Sequence, residues 1–252
     1  MNASRRTGIA ETLGTLGECS VGRLARKFGV SEMTVRRDLQ ALADEGRVLR
    51  THGGAAAAER ISFEFKFLER ARERQDAKEA IARAAAALVR DGRSVLMDSG
   101  TTTLALARQL KSRRDLTILT SSLPIASELQ FCDAIVVYLL GGQIRRQSPD
   151  LVGVIAEATL ENVRADLAFL GADAVDIRGL AYNKSPEVAR MLGHMARAAR
   201  EVYVVADSSK IGRTELMCFG RITRWSGLVT DRELSRKHAA ALRRAGVRLL
   251  QP

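Results

Sequence analysis

The chain has 252 residues, 46% hydrophobic and 27% charged, which excludes a wholly disordered protein and allows one large domain or a small and a medium one. No apolar run approaches the roughly 20 residues that span a bilayer, and the first residues lack a secretory signal, so we expect a cytoplasmic protein. The net charge of +11 suits a nucleic-acid partner, but residues 1–58 carry only +3 of it, so charge alone is a weak argument.

Three amphipathic helices are predicted before residue 46. Apolar residues at helical spacing indicate a first helix that ends near Gly17 and, after a turn at 18–20, a second helix over 21–28. Ser31 is a good N-cap for a third helix. The apolar side of that helix consists of Val35, Leu39, Leu42 and Ala43.

The order helix, short turn, helix is that of a helix-turn-helix, whose second helix enters the major groove with its N-terminal residues foremost. Residues 47–54 then predict a short basic strand pair, which would form a wing that reaches phosphates or the minor groove. The candidate DNA-binding residues are Ser31, Thr34, Arg36, Arg37, Gln40, Arg47, Arg50 and His52.

An alternative interpretation stays open at this point. Small three-helix units also mediate protein contacts, and two adjacent arginines are often only a solvated face. The ordered set of helices, turn, cap and wing favours DNA binding.

Two segments carry a resemblance to a known family. The stretch Val30-Ser-x-x-Thr-Val-Arg-Arg-Asp-Leu39, followed by Gly46-x-Val-Leu-Arg-x-His-Gly-Gly-Ala55, resembles the DeoR family of bacterial regulators. The resemblance implies a winged helix-turn-helix over residues 1–58 that binds double-stranded operator DNA.

Residues 59–75 are predicted to form a linker or arm after a small-residue joint at 55–58. Phe63, Phe65 and Phe67 alternate with polar residues, as in a half-buried extended segment. The arm either docks onto the second domain of its own chain or forms a dimer contact that couples the two domains.

Helical and strand patterns alternate over residues 76–252. The predicted strands are near-continuous apolar runs, which is typical of a parallel sheet covered on both faces, so we expect a Rossmann-like, mostly parallel α/β domain.

Ligands of such sheets bind beyond the carboxyl ends of the strands. Glycines, hydroxyls, a carboxylate and a lysine follow four predicted strands there, and a glycine-led helix start suits a phosphate. Ordinary turn chemistry explains each loop alone, but together they favour a pocket for a sugar or polyol phosphate. The candidate effector-binding residues are Asp98, Ser99, Gly100, Thr101, Thr102, Ser121, Gly141, Gly142, Asp207 and Lys210.

The resemblance to the DeoR family extends through this half, in Lys78-x-x-Ile-Ala82, Asp98-Ser-Gly-Thr-Thr102 and Ala206-Asp-Ser-Ser-Lys-x-Gly212. The family's sensor domain is related in fold to ribose-5-phosphate isomerases, which implies phosphosugar binding without turnover. The chain departs from the family pattern at Ser121, at Ala174 and in a short 179–190 segment, so the identity of the ligand stays open.

We therefore expect a repressor of a carbohydrate-catabolic operon, acting as a homodimer or homotetramer, whose grip on DNA changes when a phosphorylated metabolite binds. No cofactor is expected. No metal site is expected either, because the three cysteines and three histidines are widely scattered. The main alternative is an enzyme, a sugar-phosphate isomerase with a DNA-binding extension, for which Asp207 and Glu187 are candidate bases.

Overall fold

The computed structural model describes residues 2–45, 47–57, 67, 69–145 and 148–252, with the backbone alone for residues 2, 3 and 57. These residues form two compact units, Met1–Glu69 and Arg70–Pro252. In the predicted arm, Phe67 is buried, while Phe63 and Phe65 lie outside the described residues. In the part of the chain described, no helix is long and apolar enough to cross a membrane.

The first unit combines helices with a small antiparallel sheet. The helices are α1 (Asn2–Leu16), α2 (Val21–Phe28) and α3 (Glu32–Asp44). The strands are β1 (Glu18–Ser20), β2 (Val48–Thr51) and β3 (Gly54–Ala57), in the order β1-β3-β2. The predicted winged helix-turn-helix is confirmed, since β2 and β3 form the wing.

Two sequence-based expectations in this unit are wrong. The predicted turn at 18–20 is strand β1, and the predicted small-residue joint at 55–58 begins inside strand β3, with which β1 pairs. The close approach of these strands explains the glycine at position 54, because a Cβ there would overlap the Cys19 carbonyl. Near the end of α1, Leu16 is 41% exposed although it lies at helical spacing from Ile9 and Leu13.

The helices pack on a shared apolar core. Their spacing places one side of each helix inside, and the fully buried members include Ile9, Leu13, Leu24, Val35 and Leu39. Burial of a Leu or Ile side chain stabilises a fold by roughly 1.5–3 kcal/mol, so this core fixes which side of α3 remains outside.

A buried carboxylate on α3 connects that helix to α1. The Asp38 side chain is only 3% exposed, and it accepts hydrogen bonds from Arg5 Nε at 2.6 Å and Arg6 Nε at 3.1 Å. Burial by itself raises the pKa of this carboxyl, but the two arginines outweigh it and the pKa is lowered overall.

The second unit is an α/β domain. Its helices are α4 (Gln75–Ala86), α5 (Thr101–Gln109), α6 (Leu123–Leu129), α7 (Val154–Glu161), α8 (Pro186–Arg197) and α9 (Arg236–Arg244). Its strands are β4 (Ser94–Met97), β5 (Leu116–Thr120), β6 (Ile135–Leu139), β7 (Gln143–Ile144), β8 (Leu151–Val152), β9 (Ala165–Gly171), β10 (Ala174–Val175), β11 (Leu180–Asn183), β12 (Ala199–Val205), β13 (Met217–Arg221), β14 (Gly227–Val229) and β15 (Leu249–Leu250).

In the described part of this unit a parallel sheet of seven strands has the order β15-β14-β12-β9-β4-β5-β6. The predicted mostly parallel α/β architecture is confirmed. The chain runs outward from β4 to β6 and then returns to the other side of β4 at β9, so the order reverses between β4 and β9. In open α/β sheets the ligand crevice lies at such a reversal.

Two smaller pieces of antiparallel structure were not predicted. They are the pair β7–β8 and a sheet with the order β10-β11-β13. Strands of two residues carry no readable alternation, and β13 is largely exposed, so hydrophobic periodicity gives no signal for them.

The Asp38 contacts generate a prediction about stability. We expect Asp38→Asn to lower the free energy of unfolding of the first unit by about 1–3 kcal/mol, because hydrogen bonds to charged groups are lost from a buried site. Far-ultraviolet circular dichroism during urea unfolding of the whole chain should show an earlier transition. The fluorescence of Trp225, the chain's one tryptophan, reports on the second unit and should not shift.

The exposed Asp44, on the same helix, supplies the matched control Asp44→Asn. Because the Asp38 pKa is lowered in the folded state, its contribution is present above the ordinary pKa of an aspartate. It is lost as the pH falls through the folded pKa. An Asp38→Asn variant with an unchanged urea midpoint at neutral pH would contradict the anchoring role.

Candidate functional site

The solvent side of α3 carries the side chains that the sequence proposed for DNA contact. Arg36, Arg37 and Gln40 are exposed. Arg36 makes a pair with Glu32 at 3.5 Å, but both side chains are more than half exposed, so the pair is weak and gives way readily. The helix thus offers two arginines to a groove or a phosphate.

Ser31 and Thr34 stand at the start of the same helix. The Ser31 hydroxyl accepts from the Thr34 N–H at 3.2 Å and shares a hydrogen bond with the Thr34 hydroxyl at 2.9 Å. This is an N-cap, which fixes where α3 begins. Both residues remain at least partly exposed and can also contact phosphate.

A chain of polar contacts joins the wing to α3. Arg50 on β2 donates to the Gln40 side chain at 2.9 Å, and Gln40 donates to Asp44 at 2.9 Å. Arg47 makes a surface pair with Glu45 at 3.6 Å, and His52 lies exposed in the turn between β2 and β3. The structure therefore brings the proposed helix and wing residues onto one connected surface.

In the second unit, Asp98 lies at the reversal of strand order, directly after β4. Its Oδ1 accepts from the Gly100 N–H at 3.0 Å and the Thr103 hydroxyl at 2.5 Å, and its Oδ2 accepts from the Gly171 N–H at 2.7 Å. The carboxylate therefore bridges the end of β4 to the end of β9. Both of its oxygens are engaged within the protein, so its role here is to shape the loop.

Burial raises the pKa of the Asp98 carboxyl, and the neighbouring Asp150 adds to the rise, whereas its hydrogen bonds oppose it. Gly171 lies so close that a Cβ would stand 2.9 Å from Asp98 Oδ2. Gly100 caps α5 without a side-chain hydrogen bond, so backbone N–H groups of the first turn are left for other partners.

A small cavity opens beside this loop, with about 200 Å³ of empty space including its mouth. One wall is polar and comes from the ends of β4 and β5 and from the residue before β8. The other wall is apolar and comes mainly from α8. The lining residues are Asp98, Ser99, Ser121, Asp150, Val152, Val188, Met191, Leu192 and Met195.

The sequence analysis missed Asp150, which lines this polar wall, and Arg145, which contacts Asp150 from outside the lining. Arg145 donates from Nε and Nη2 to the two Asp150 oxygens, each at 2.8 Å, and the Ser99 hydroxyl donates to Asp150 at 2.6 Å. Neither residue directly follows a predicted strand. The rule that directs attention to strand ends therefore gave no signal for them.

The two glycines after β6 are explained by close packing. Gly142 has a φ of +129°, and a Cβ there would lie 2.6 Å from the Val152 carbonyl oxygen. A Cβ at Gly141 would lie 3.2 Å from the Ile155 side chain. The absence of side chains at these two positions lets the β7–β8 pair pack closely, so packing alone explains both glycines.

Asp207 and Lys210 follow β12 and do not line the cavity. Asp207 accepts from the Ser209 backbone N–H at 3.0 Å and pairs with Arg74 Nε at 3.1 Å. Arg74 also pairs with Glu233 at 2.5 Å, and that hydrogen bond is the main reason why the Arg74 pKa is raised. The start of the second unit is thereby fastened to the carboxyl end of the sheet.

Lys78 lies in the same region. Its side chain is buried and donates to the backbone carbonyls of Arg70 and Glu73. Burial lowers its pKa, and Lys210 is near enough to lower it further, against the opposing effect of Asp207. The Lys78 ammonium is thus held by backbone carbonyls of the segment before α4.

Comparisons with known proteins agree across both units. A family model described as the DeoR-like helix-turn-helix domain matches residues 5–60, and one described as the DeoR C terminal sensor domain matches residues 73–232. The chain is 34% identical to the transcriptional regulator GlpR of Haloferax volcanii, over 97% of this chain and 96% of the relative. It is 33% identical to the glycerol-3-phosphate regulon repressor of Escherichia coli K12, over 90% of each.

Among solved structures, the chain is similar to ribose 5-phosphate isomerase A from Methanocaldococcus jannaschii. The TM-score is 0.41 at 20% identity, over 54% of each chain. A likeness at this level is too weak to bear on function.

The Asp98 bridge generates a prediction. We expect Asp98→Asn to destabilise the second unit by about 1–3 kcal/mol, because either orientation of the amide turns an NH₂ group toward an existing donor. Urea unfolding followed by Trp225 fluorescence measures the loss. Asp91→Asn, at an exposed aspartate before β4, is the control. An Asp98→Asn protein as stable as the parent would show that the bridge does not hold the two strand ends.

Proposed function

The chain belongs to the DeoR family of transcriptional regulators, and we propose that it is a cytoplasmic repressor of a carbohydrate-catabolic operon. It binds double-stranded operator DNA through α3 and the wing, and its affinity for that DNA changes when a phosphorylated sugar or polyol binds the second unit. The observation that carries the proposal is the exposed side of α3, where Arg36, Arg37 and Gln40 stand opposite a buried and anchored side.

The proposed DNA contacts divide into two kinds. Arg36, Arg37 and Gln40 lie on the groove-facing side of a recognition helix, where side chains read base edges. Ser31, Thr34, Arg47, Arg50 and His52 surround that helix and contact phosphates or the minor groove, which positions the protein more than it specifies sequence. A homodimer or homotetramer would present paired helices to two half-sites.

The proposed effector site is the carboxyl edge of the sheet. Support comes from Ser99 and Ser121, which line the cavity, and from Thr101 and Thr102 in the first turn of α5. Lys210, in the turn that follows β12, adds a positive charge at this edge. The effector binds and leaves unchanged, so we assign no catalytic residue and no cofactor.

The DNA-binding assignment predicts a loss of operator affinity in arginine variants. We expect Arg36→Ala and Arg37→Ala each to weaken binding by about 1–3 kcal/mol if the arginine reads a base. The measurement is a gel-shift titration with the intergenic DNA beside the chain's own gene, against unrelated DNA of the same length.

Arg244→Ala, on the exposed side of α9, removes the same charge from the second unit and serves as the matched control. Wild-type operator affinity in both α3 variants would remove the groove-reading assignment.

The effector assignment predicts stabilisation by sugar phosphates. Ribose 5-phosphate, fructose 6-phosphate and glycerol 3-phosphate are each compared with the unphosphorylated compound, with thermal unfolding and release of operator DNA as readouts. Binding to the folded state alone raises the midpoint by mass action. We expect at least one phosphate compound to raise the midpoint and to change operator affinity, and Lys210→Ala to abolish the midpoint shift.

Two results would contradict this part of the proposal. A Lys210→Ala protein that responds like the parent would show that the lysine lies outside the effector site. Conversion between aldose and ketose phosphates by the purified protein would favour an isomerase instead.

A further inference from the structure

The pair formed by Arg145 and Asp150 has the features of a prepared anion receptor. Two parallel N–H···O hydrogen bonds, both 2.8 Å long, fix the guanidinium in one plane against a carboxylate that is 1% exposed. The Arg145 side chain is itself 19% exposed. An arginine held in this way has already lost its rotational freedom before a ligand arrives.

The pair is fixed to the proposed effector loop. Asp150 accepts from the Ser99 hydroxyl at 2.6 Å, and Leu151 next to it donates from its backbone N–H to the Ser121 carbonyl at 2.9 Å. Ser99, Ser121 and Asp150 all line the same cavity. Arg145 therefore contacts a residue of the polar wall, Asp150, without lining the cavity itself.

The chemistry of the pair favours a phosphate. Among the described residues, Asp150 occupies Nε and one N–H of Nη2, and no hydrogen bond engages the Nη1 group of Arg145. Free guanidinium N–H groups match the geometry of phosphate oxygens. The pairing also neutralises Asp150, whose negative charge would otherwise repel an anion beside Ser99.

We propose that Arg145 recognises the phosphate group of the effector and that Asp150 is the positioning residue that aims it. This inference rests on the proposed function, since it names the residue that distinguishes a phosphorylated sugar from the same sugar without phosphate. Arg145 is thereby a specificity residue for the effector.

The test uses the whole protein with ribose 5-phosphate, fructose 6-phosphate and glycerol 3-phosphate, each against its unphosphorylated counterpart. For the compound that binds the parent, we expect Arg145→Gln to weaken binding by about 10- to 100-fold, the range of a charge-assisted hydrogen bond. The preference for the phosphorylated compound should be lost as well. Arg145→Lys retains the positive charge but loses the paired N–H groups of the guanidinium, so it should keep part of the preference for the phosphorylated compound.

Two further variants separate recognition from simpler effects. Arg93→Gln removes an arginine that pairs with Asp166 at 3.1 Å near the amino ends of β4 and β9, so it controls for the loss of an arginine–aspartate pair. The double variant Arg145→Gln with Asp150→Asn removes both charges. If Arg145→Gln acts only by unmasking the Asp150 charge, the double variant will regain binding, and that result would overturn the inference.

The outcomes also separate this inference from the proposed function. A parent protein that responds to no phosphorylated compound overturns the effector proposal and this inference together. A parent that responds while Arg145→Gln responds equally overturns the inference alone. Circular dichroism checks the fold of each variant, and if Arg145→Gln does not fold, Arg145→Lys and the double variant carry the test.

Discussion

The architecture of the second unit depends on one buried carboxylate at the point where the strand order of the parallel sheet reverses. Asp98 joins the end of β4 to the end of β9 through three hydrogen bonds, of which two come from backbone N–H groups. A buried charge is costly unless donors surround it, and glycines at 100 and 171 allow the backbone to come close enough. The loop that follows β4 is thus shaped before any ligand arrives.

The first unit uses a buried carboxylate in a different way. Asp38 is held by two arginines, and its pKa is lowered, whereas Asp98 is held by neutral donors, and its pKa is raised. The Asp38 anchor therefore depends on ionisation and weakens in acid, while Asp98 accepts a proton more easily. In both places the hydrogen bonds of the carboxylate hold together segments that are distant in the sequence.

Much of the fold was predictable from the sequence, because amphipathic helices repeat their apolar residues at a fixed spacing and strands of a parallel sheet form near-continuous apolar runs. The three helices of the first unit carry the first signal, and the longer strands of the parallel sheet carry the second. Strand β1 does not, since three residues ending in a helix N-cap are read as a turn until their partner β3 is known. Cys19 and its partner Ala55 are 36 residues apart in the sequence, so no local pattern can predict that they pair.

The sites were predictable only in part, for a related reason. A strand end marks where a ligand crevice lies, which leads to Ser99 and Ser121, but it does not show how a side chain is used. Asp207 follows a strand as expected, yet its carboxylate is paired with Arg74, a residue 133 positions earlier in the chain. Arg145 and Asp150 follow no long strand, and only the folded chain brings Asp150 to the polar wall, with Arg145 hydrogen-bonded to it.

The composition of the cavity walls bears on how a sensor of this kind works. The polar wall comes from loops that follow strands of the sheet, and the apolar wall belongs to the packed core around α8. Under the proposed function, an effector that binds beside Ser99 contacts both walls. A ligand shifts an equilibrium only by its difference in affinity for two conformations. An effector that contacts the loops and α8 equally in both conformations would leave DNA affinity unchanged. The packing of α8 against these loops is therefore where the proposed function requires the two conformations to differ.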